Sequence, residues 1–260
     1  MRPSVLVLHL PGTNRDHDVA EACERAGGRP EILQLNDVVN GSKRITDFGM
    51  LVLPGGFSFG DDLGAGRVWS IALRHSLTSQ LETFVSSGRP VLGICNGFQA
   101  LIKSGLLPAE KNTVWAHERP ATLTHNASGR FECRWVELTP NPDSPCVFTR
   151  DLEEPVFCPV AHGEGRVVAR SAEHLNQLED NGQVALRYSM GLGAVEYPAN
   201  PNGSDNHIAA LCNPAGNVMG MMPHPEDHIW PTQHPEYHRG GRGNLGLALF
   251  QSGVRYAAKL

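Results

Sequence analysis

The sequence predicts an α/β protein with an open, mostly parallel sheet flanked by helices. Short apolar runs at residues 4–10, 50–53 and 90–94 end at proline, glycine or cysteine turns, and segments with helical spacing follow them. Strands that alternate with helices indicate right-handed crossovers and parallel pairing. The second half of the chain is richer in turns and strand-like runs, which predicts added antiparallel strands. At 260 residues, a single domain over residues 1–260 is expected.

The first half supplies the parallel strands. Residues 4–10 form a buried strand, and Asn14 is the predicted cap of the helix that follows. The turn at residues 11–14 lacks the glycine pattern of a phosphate-binding loop, so we interpret it as a strand-to-helix turn. A second strand is predicted at residues 32–35, and residues 68–85 carry apolar side chains at the spacing of one long helix.

The second half is predicted to add strands and a last helix. The strands lie at residues 131–138, 156–160, 184–188, 208–213 and 217–222. A final amphipathic helix is expected over residues 244–258. Residues 162–165 (HGEG) are either a hairpin turn or part of a pocket wall, and the residues by themselves favour the turn.

Cys95 lies where a buried strand runs directly into a helix. Gly93 and Gly97 bracket it at two residues on either side, as in a nucleophile elbow. The thiolate is the reactive form of cysteine, and a helix N-terminus favours it. The alternative is an ordinary buried cysteine in a tight turn, since free cysteine is among the most buried residue types. On this stretch alone the two interpretations are about equal.

Residues at two other strand ends complete a possible catalytic set. Gly55 and Gly56 follow the strand at residues 50–53, and open backbone amides there suit an oxyanion, although a plain turn is the simpler interpretation. His224 stands between two prolines at the end of the last strand, and Glu226 is close enough to hydrogen-bond to it. A cysteine nucleophile needs a base, and that base needs an orienting group.

Composition excludes several classes of protein. The net charge of −5 gives no reason to expect nucleic acid or an anionic membrane as a partner. No apolar run approaches the ~20 residues that span a bilayer, and six cysteines without a CxxC pair indicate reduced thiols in the cytoplasm. His228, His234 and His238 invite a metal site, but prolines interrupt any helix there, so we expect solvated loop histidines and no metal.

Two motifs carry a resemblance to a known family. They are Gly93-Ile94-Cys95-Asn96-Gly97-Phe98-Gln99 and Pro223-His224-Pro225-Glu226. With them the chain resembles the class I, triad-type glutamine amidotransferases, which have a flavodoxin-like sheet. A narrower resemblance, to the glutaminase subunits of purine biosynthesis, rests on residues 11–16, 54–66, 128–131 and 161–165. The resemblance covers most of residues 4–226, and residues 227–260 are interpreted as a divergent extension.

The resemblance implies a mechanism and a division of labour. Cys95 would attack the side-chain amide of L-glutamine, with His224 moving protons and Glu226 holding His224. The oxyanion would lie against the backbone amides of Gly56 and Asn96. The α-amino and carboxylate groups of the substrate would contact Gln99, His162, Gly163 and Glu164.

The same resemblance implies a partner. Ammonia would pass to a separate synthetase subunit that uses ATP, Mg²⁺ and formylglycinamide ribonucleotide, with or without a small bridging subunit. This chain would need no cofactor or metal of its own. That division agrees with the missing phosphate-binding loop.

Three alternatives stay open. Another class I glutaminase is one, and the run PGGFSFGD at residues 54–61 counts against it. A related protease or deglycase is the second, but there a histidine usually follows the cysteine directly, whereas Asn96 does here. A non-catalytic binding module is the third, and the joint presence of Cys95, His224 and Glu226 counts against it.

Residues 55–66 suggest a regulatory loop. The segment contains five glycines in twelve residues, so it has many accessible backbone states. We expect it to hold the Gly56 amide poorly in the free chain and to become ordered on docking to the synthetase. The alternative is a loop already pinned by Asp61 and Asp62.

Overall fold

The computed structural model describes residues 2–189 and 196–260. The strands are β1 (Ser4–His9), β2 (Arg29–Gln34), β3 (Met50–Leu53), β4 (Val91–Ile94), β5 (Ala121–Thr124), β6 (Glu132–Pro140), β7 (Val156–His162), β8 (Arg166–Ala169), β9 (Val184–Ser189), β10 (Ile208–Cys212) and β11 (Val218–Met221). The helices are α1 (Asp16–Arg25), α2 (Leu35–Val39), α3 (Arg67–His75), α4 (Thr78–Ser86), α5 (Asn96–Ser104), α6 (Ala172–Asp180) and α7 (Leu247–Ala257).

The main sheet has a parallel half and an antiparallel half, as predicted. In the described residues its strand order is β2-β1-β3-β4-β11-β10-β9-β6-β7. The first five strands pair in parallel, and every pairing from β11 to β7 is antiparallel. The central parallel strands β3, β4 and β11 are buried along their whole length, which is typical of a sheet covered on both faces.

The predicted helix over residues 68–85 is wrong as a single element. Helices α3 and α4 replace it, and Ser76 and Leu77 separate them. The amides of both residues donate to the carbonyl of Ala72, which ends α3. Leu77 is fully buried, as are Trp69, Leu73 and Leu81 on the same apolar stripe. An apolar stripe at helical spacing does not reveal such a break.

Several elements were not predicted. Helix α6 buries Leu178 fully and Leu175 partly, so its apolar stripe is weak; the cap is Ser171, whose hydroxyl accepts from the amide of His174. Strands β5 and β8 form a separate two-stranded sheet. Because β8 pairs with β5 and β7 pairs with β6, residues 162–165 are not a hairpin turn. At the start of α1 the predicted cap is also wrong, since Arg15 and not Asn14 occupies that position.

The expectation of solvated histidines in the C-terminal tail is wrong for two of the three. His228 and His234 are buried, whereas His238 is exposed. Their rings pack with those of Trp135 and Phe157, at centroid distances of 5.0 to 6.2 Å. The aromatic faces of β6 and β7 offer apolar surface that the proline-rich tail covers. In residues 2–189 and 196–260, no three His, Cys, Asp or Glu side chains are placed to hold a metal ion.

The core lies on both sides of the main sheet. Its largest fully buried side chains are Trp69, Tyr188, Phe84, Phe98, Phe148 and Phe250. They come from both halves of the chain, five from helices or strands and Phe148 from a turn, and the buried apolar residues form one cluster. Within the described ranges no helix has the length and apolar character needed to cross a membrane.

Candidate active site

Cys95 lies on a strained corner between β4 and α5. Its φ is 48°, which lies in a backbone region that residues other than glycine rarely occupy. A Cβ on Gly97 would come within 2.0 Å of the carbonyl oxygen of Leu53, and one on Gly93 within 2.5 Å of Leu101. The two glycines therefore admit the close packing that the corner requires. The structure thus has the strand–turn–helix geometry predicted from the sequence.

The order of the central strands brings the three predicted strand ends together. β4 lies between β3 and β11, and all three run in parallel. Leu53 pairs with Gly93, and Ile94 pairs with Met221. The amide of Cys95 donates to the carbonyl of Met221 at 2.8 Å. The turns that follow these strands consequently meet at one edge of the sheet, where ligands of open α/β sheets bind.

His224 and Glu226 form a buried pair beside Cys95. His224 Nδ1 lies 2.7 Å from Glu226 Oε1, the hydrogen bond predicted from the sequence. Both residues are buried, at 4% and 1% exposure. Burial alone would lower the pKa of His224, but the Glu226 carboxylate and then Cys95 raise it to about 10. The arrangement favours an imidazolium beside Cys95 at neutral pH.

The amides of Gly56 and Asn96 are free to donate. Neither has an acceptor among the described residues, because Asn96 begins α5 and the bonds of the Gly56 turn come from its neighbours. Gly56 has a φ of 149°, and a Cβ there would come within 2.7 Å of the Gly12 carbonyl. Only glycine fits that position. Both amides are therefore available for an oxyanion beside Cys95.

The turn at residues 11–14 supports the Gly56 turn. The amide of Phe57 donates to the Gly12 carbonyl at 2.9 Å, and that of Phe59 to the Pro11 carbonyl at 2.8 Å. Thr13 and Gly56 form an isolated antiparallel bridge. These contacts hold the two segments together at the site, although they are more than 40 positions apart in the sequence.

The glycine-rich loop is also held from α5. Asn96 Oδ1 accepts from the amide of Ser58 at 3.1 Å, and its Nδ2 donates to Asp61 Oδ1 at 3.2 Å. Asp61 Oδ1 also accepts from the amide of Gly66. These bonds favour the alternative of a loop pinned through Asp61 over the expected poorly ordered loop. For Asp62, the hydrogen bond found among residues 2–189 and 196–260 is the one that its backbone amide donates to the Phe59 carbonyl.

A cavity of about 230 Å³ opens beside Cys95. Its volume equals roughly that of eight water molecules, which suits an amino acid better than a nucleotide. The predicted residues Gly56, Cys95 and Gln99 line it, together with the wall formed by residues 162–164. His125, Phe57, Asp61, Ala65, Phe131 and Ala161 complete the lining. His224 and Glu226 lie outside the lining, behind Cys95.

Strand β7 brings the wall at residues 162–164 to the cysteine. It is the last strand of the main sheet, yet the carbonyl of Ala161 lies 3.8 Å from Cys95 Sγ. The carbonyl of Pro159 accepts from the amide of His224 at 2.8 Å. The antiparallel half of the sheet therefore bends back over the site.

Gln99 fixes this wall rather than pointing freely into the cavity. Its Nε2 donates to the carbonyl of Glu164 at 2.7 Å, and its Oε1 accepts from Asn96 Nδ2 at 2.9 Å. The Glu164 carboxylate lies 3.4 Å from Lys103 Nζ, which also donates to the carbonyl of Ala65. One N–H and one lone pair of the Gln99 amide remain for a ligand.

His162 is neutral and presents an unpaired nitrogen. Its Nδ1 lies 3.1 Å from Asn126 Oδ1, whose amide nitrogen donates to two backbone carbonyls. That oxygen must accept, so Nδ1 carries the proton and Nε2 is an acceptor. Nε2 is buried without a hydrogen-bond partner in the described part of the chain. Burial, and secondarily His224, lower the pKa of His162 to about 3.

The lowered pKa predicts acid sensitivity. Between about pH 6.5 and 3 the unfolded state binds a proton at residue 162 that the folded state does not, so the free energy of unfolding falls as the pH falls. In His162→Asn, which keeps a donor toward Asn126, we expect this dependence to weaken by about 1.4 kcal/mol per pH unit. Urea unfolding of both proteins from pH 7 to 4.5 measures it, and equal slopes would contradict the assignment.

Two features of the site were missed. The side chain of Asn126 hydrogen-bonds to His162, Gly165 and Arg130. In the sequence, however, the run Asn-Ala-Ser-Gly indicates only a turn. The strand positions of Cys133, Cys158 and Cys212 also predict inert thiols, but Cys133, in β6, is exposed, so burial does not make it inert. Cys158 and Cys212 are buried, as their strand positions predict.

Comparison with known proteins agrees with this geometry. The family model described as "CobB/CobQ-like glutamine amidotransferase domain" matches residues 2–257, and so runs through most of the tail. Phosphoribosylformylglycinamidine synthase subunit PurQ of Treponema denticola is 43% identical, covering 98% of this chain and 99% of that protein. The protein of the same name from Dehalococcoides mccartyi is 40% identical, with 98% of each covered. A chain in the structure of PurLQS from Thermotoga maritima aligns with a TM-score of 0.74 at 32% identity, covering 98% of this chain and 99% of that one.

Proposed function

The chain belongs to the CobB/CobQ-like glutamine amidotransferase family, and on that premise we propose that it is the glutaminase subunit of a phosphoribosylformylglycinamidine synthase. The observation that carries the proposal is the position of Cys95. It lies on a strained corner, against the buried His224–Glu226 pair, and lines a cavity the size of an amino acid. The printed names of the relatives support the choice of synthase.

The reaction begins with the Cys95 thiolate. It attacks the side-chain amide carbon of glutamine, and the oxygen becomes an oxyanion that accepts from the amides of Gly56 and Asn96. His224 gives its proton to the amide nitrogen, so that ammonia leaves and a glutamyl thioester remains. His224 then takes a proton from water, which attacks the thioester and releases glutamate and the thiolate. Glu226 keeps the His224 ring oriented and stabilises its charge.

The wall of the cavity recognises the rest of the substrate. Glutamine carries an α-ammonium and an α-carboxylate, which need acceptors and donors respectively. The neutral Nε2 of His162 supplies an acceptor, and the remaining N–H of Gln99 supplies a donor. The backbone of Gly163 and Glu164 adds further polar groups on the same wall.

The ammonia is used by a synthetase partner. Relatives carry the name of a synthase subunit, and the similar structure is that of a complex. We propose that the partner holds the ATP, Mg²⁺ and formylglycinamide ribonucleotide, and that this chain contributes ammonia only. A small bridging subunit would be part of the same assembly.

A labelling experiment tests the nucleophile. A glutamine-mimicking electrophile, such as a chloroketone analogue, is expected to modify Cys95, whereas iodoacetamide should modify the exposed Cys133 first. Free glutamine should protect Cys95 and leave Cys133 unprotected. Peptide mass mapping identifies the labelled residue.

The matched control is Cys133→Ala. It should abolish most iodoacetamide labelling and leave labelling by the glutamine analogue unchanged. Modification by the analogue chiefly at a cysteine other than Cys95 would overturn the proposal.

A further inference from the structure

Arg15 is a charged neighbour of the triad that the mechanism above does not use. It is the N-terminal cap residue of helix α1, and its Nε lies 3.9 Å from Glu226 Oε1. Its Nη2 forms an ion pair with Asp227, and its Nη1 lies 3.4 Å from Asp18. The guanidinium is therefore anchored on two carboxylates while its inner edge faces a third.

The inner edge of this contact is buried. Arg15 Nε and Glu226 Oε2 are both buried, and neither has a hydrogen-bond partner in the described residues. The Glu226 side chain has no exposed surface, whereas that of Arg15 is 30% exposed. An unpaired N–H or carboxylate oxygen in such a place is unfavourable alone, and attraction between opposite charges offsets that cost.

Apart from His224, the other groups that the structure places around Glu226 supply no positive charge. His224 hydrogen-bonds to it, and Asp227 places a second negative charge next in the chain. Cys23 on α1 and Cys158 on β7 also face it, and burial followed by the Glu226 charge raises the pKa of both thiols. These thiols stay neutral, so they add no charge that would stabilise the carboxylate.

Packing fixes the guanidinium relative to the triad. A side chain at Gly55 would meet the His224 ring at 2.6 Å and the Cγ of Arg15 at 3.3 Å. The stem of Arg15, the Gly55 turn and the His224 ring therefore lie in contact with no space between them. A movement of Arg15 would therefore displace the His224 ring.

We propose that Arg15 is a positioning residue of this active site, whose guanidinium, anchored by Asp227, keeps Glu226 charged and so holds His224 as the imidazolium partner of Cys95. The inference rests on the proposed function, in which Glu226 orients His224. Without the guanidinium, the buried carboxylate would lose the opposite charge that offsets the cost of its burial. Reactivity of Cys95 would then be lost at a higher pH.

The test is the pH profile of Cys95 modification by the chloroketone analogue of glutamine, from about pH 5 to 9, in the full chain. For Arg15→Met we expect the acid limb to move up by about one pH unit, which makes the rate on that limb about tenfold lower. The plateau rate should change less than about threefold. Arg15→Lys should restore most of the profile, because it restores the charge.

Arg25→Met is the matched control. It removes the same charge from the same helix, but Arg25 stacks on Trp230 and not on the triad, so the wild-type profile is expected. Thermal unfolding establishes that each variant is folded. If Arg15→Met does not fold, Arg15→Gln replaces it, and the same shift is required.

The outcomes separate the two proposals. If wild-type Cys95 is not modified, the proposed function fails. If it is modified and the acid limb of the folded Arg15 variant is unchanged, the inference about Arg15 fails while the function stands. A lower plateau with an unmoved limb would also overturn it, because that result indicates a structural role only.

Discussion

In a complex reconstituted with its synthetase, the Cys95→Ala variant is expected to lose glutamine-dependent synthesis and to keep synthesis from added ammonium. Alanine cannot form the thioester, and loss of the nucleophile in a comparable catalytic triad costs about 10⁶-fold in kcat. Alanine also preserves the Cβ at a corner that is already strained, so the elbow should persist. Product formation from each nitrogen source, measured side by side, gives the answer.

The control for this experiment is Cys133→Ala, which removes an exposed thiol from β6. Both activities should remain at the wild-type level in that variant. If Cys95→Ala loses both activities, Cys95 has a structural role in the complex. If it keeps glutamine-dependent synthesis, another group is the nucleophile.

The parallel half of the fold could be predicted because its signals are local. Short apolar runs bounded by Pro and Gly mark β1, β3 and β4, and the right-handed crossover rule orders them in parallel. Parallel strands place their carboxyl ends at one edge, so the meeting of Cys95 with the Gly55 turn followed from topology. His224 joined them because its strand, β11, pairs with β4.

Contacts between distant segments could not be predicted in the same way. Arg15 and Glu226 are 211 positions apart (226 − 15), and no periodicity relates them. The wall at residues 162–164 reaches Cys95 only because the antiparallel half bends back, which no single strand encodes. His228 and His234 read as polar loop residues, yet the aromatic surface of Trp135 and Phe157 buries them.

Local signals also fail where two effects compete. The stripe over residues 68–85 has the spacing of one helix, yet α3 ends at His75, where the amides of Ser76 and Leu77 both donate to the Ala72 carbonyl. Likewise, the five glycines at residues 55–66 suggest many accessible backbone states when counted alone. The side chains of Asn96 and Asp61 supply the bonds that hold this loop.

The His224→Ala and Glu226→Ala variants are expected to differ in the size of their losses. His224 moves the proton in both halves of the reaction and supplies the cation beside the thiolate. By analogy with a triad in which loss of the histidine costs about 10⁶-fold, and loss of the carboxylate only about 10⁴-fold, His224→Ala should be the more severe. The hydrogen bond of 2.7 Å shows what Glu226→Ala would remove, namely the restraint on Nδ1.

A third variant divides the role of Glu226 into geometry and charge. Glu226→Gln keeps the volume and an oxygen acceptor for His224 Nδ1 but removes the charge that raises the pKa of His224. If charge dominates, Glu226→Gln should resemble Glu226→Ala in glutaminase kcat/KM; if orientation dominates, it should retain more activity. Equal losses in folded His224→Ala and Glu226→Ala proteins would contradict the ranking. In that case the imidazole would have no catalytic function without its carboxylate, and the Glu226→Gln variant would show whether orientation or charge is what the imidazole needs.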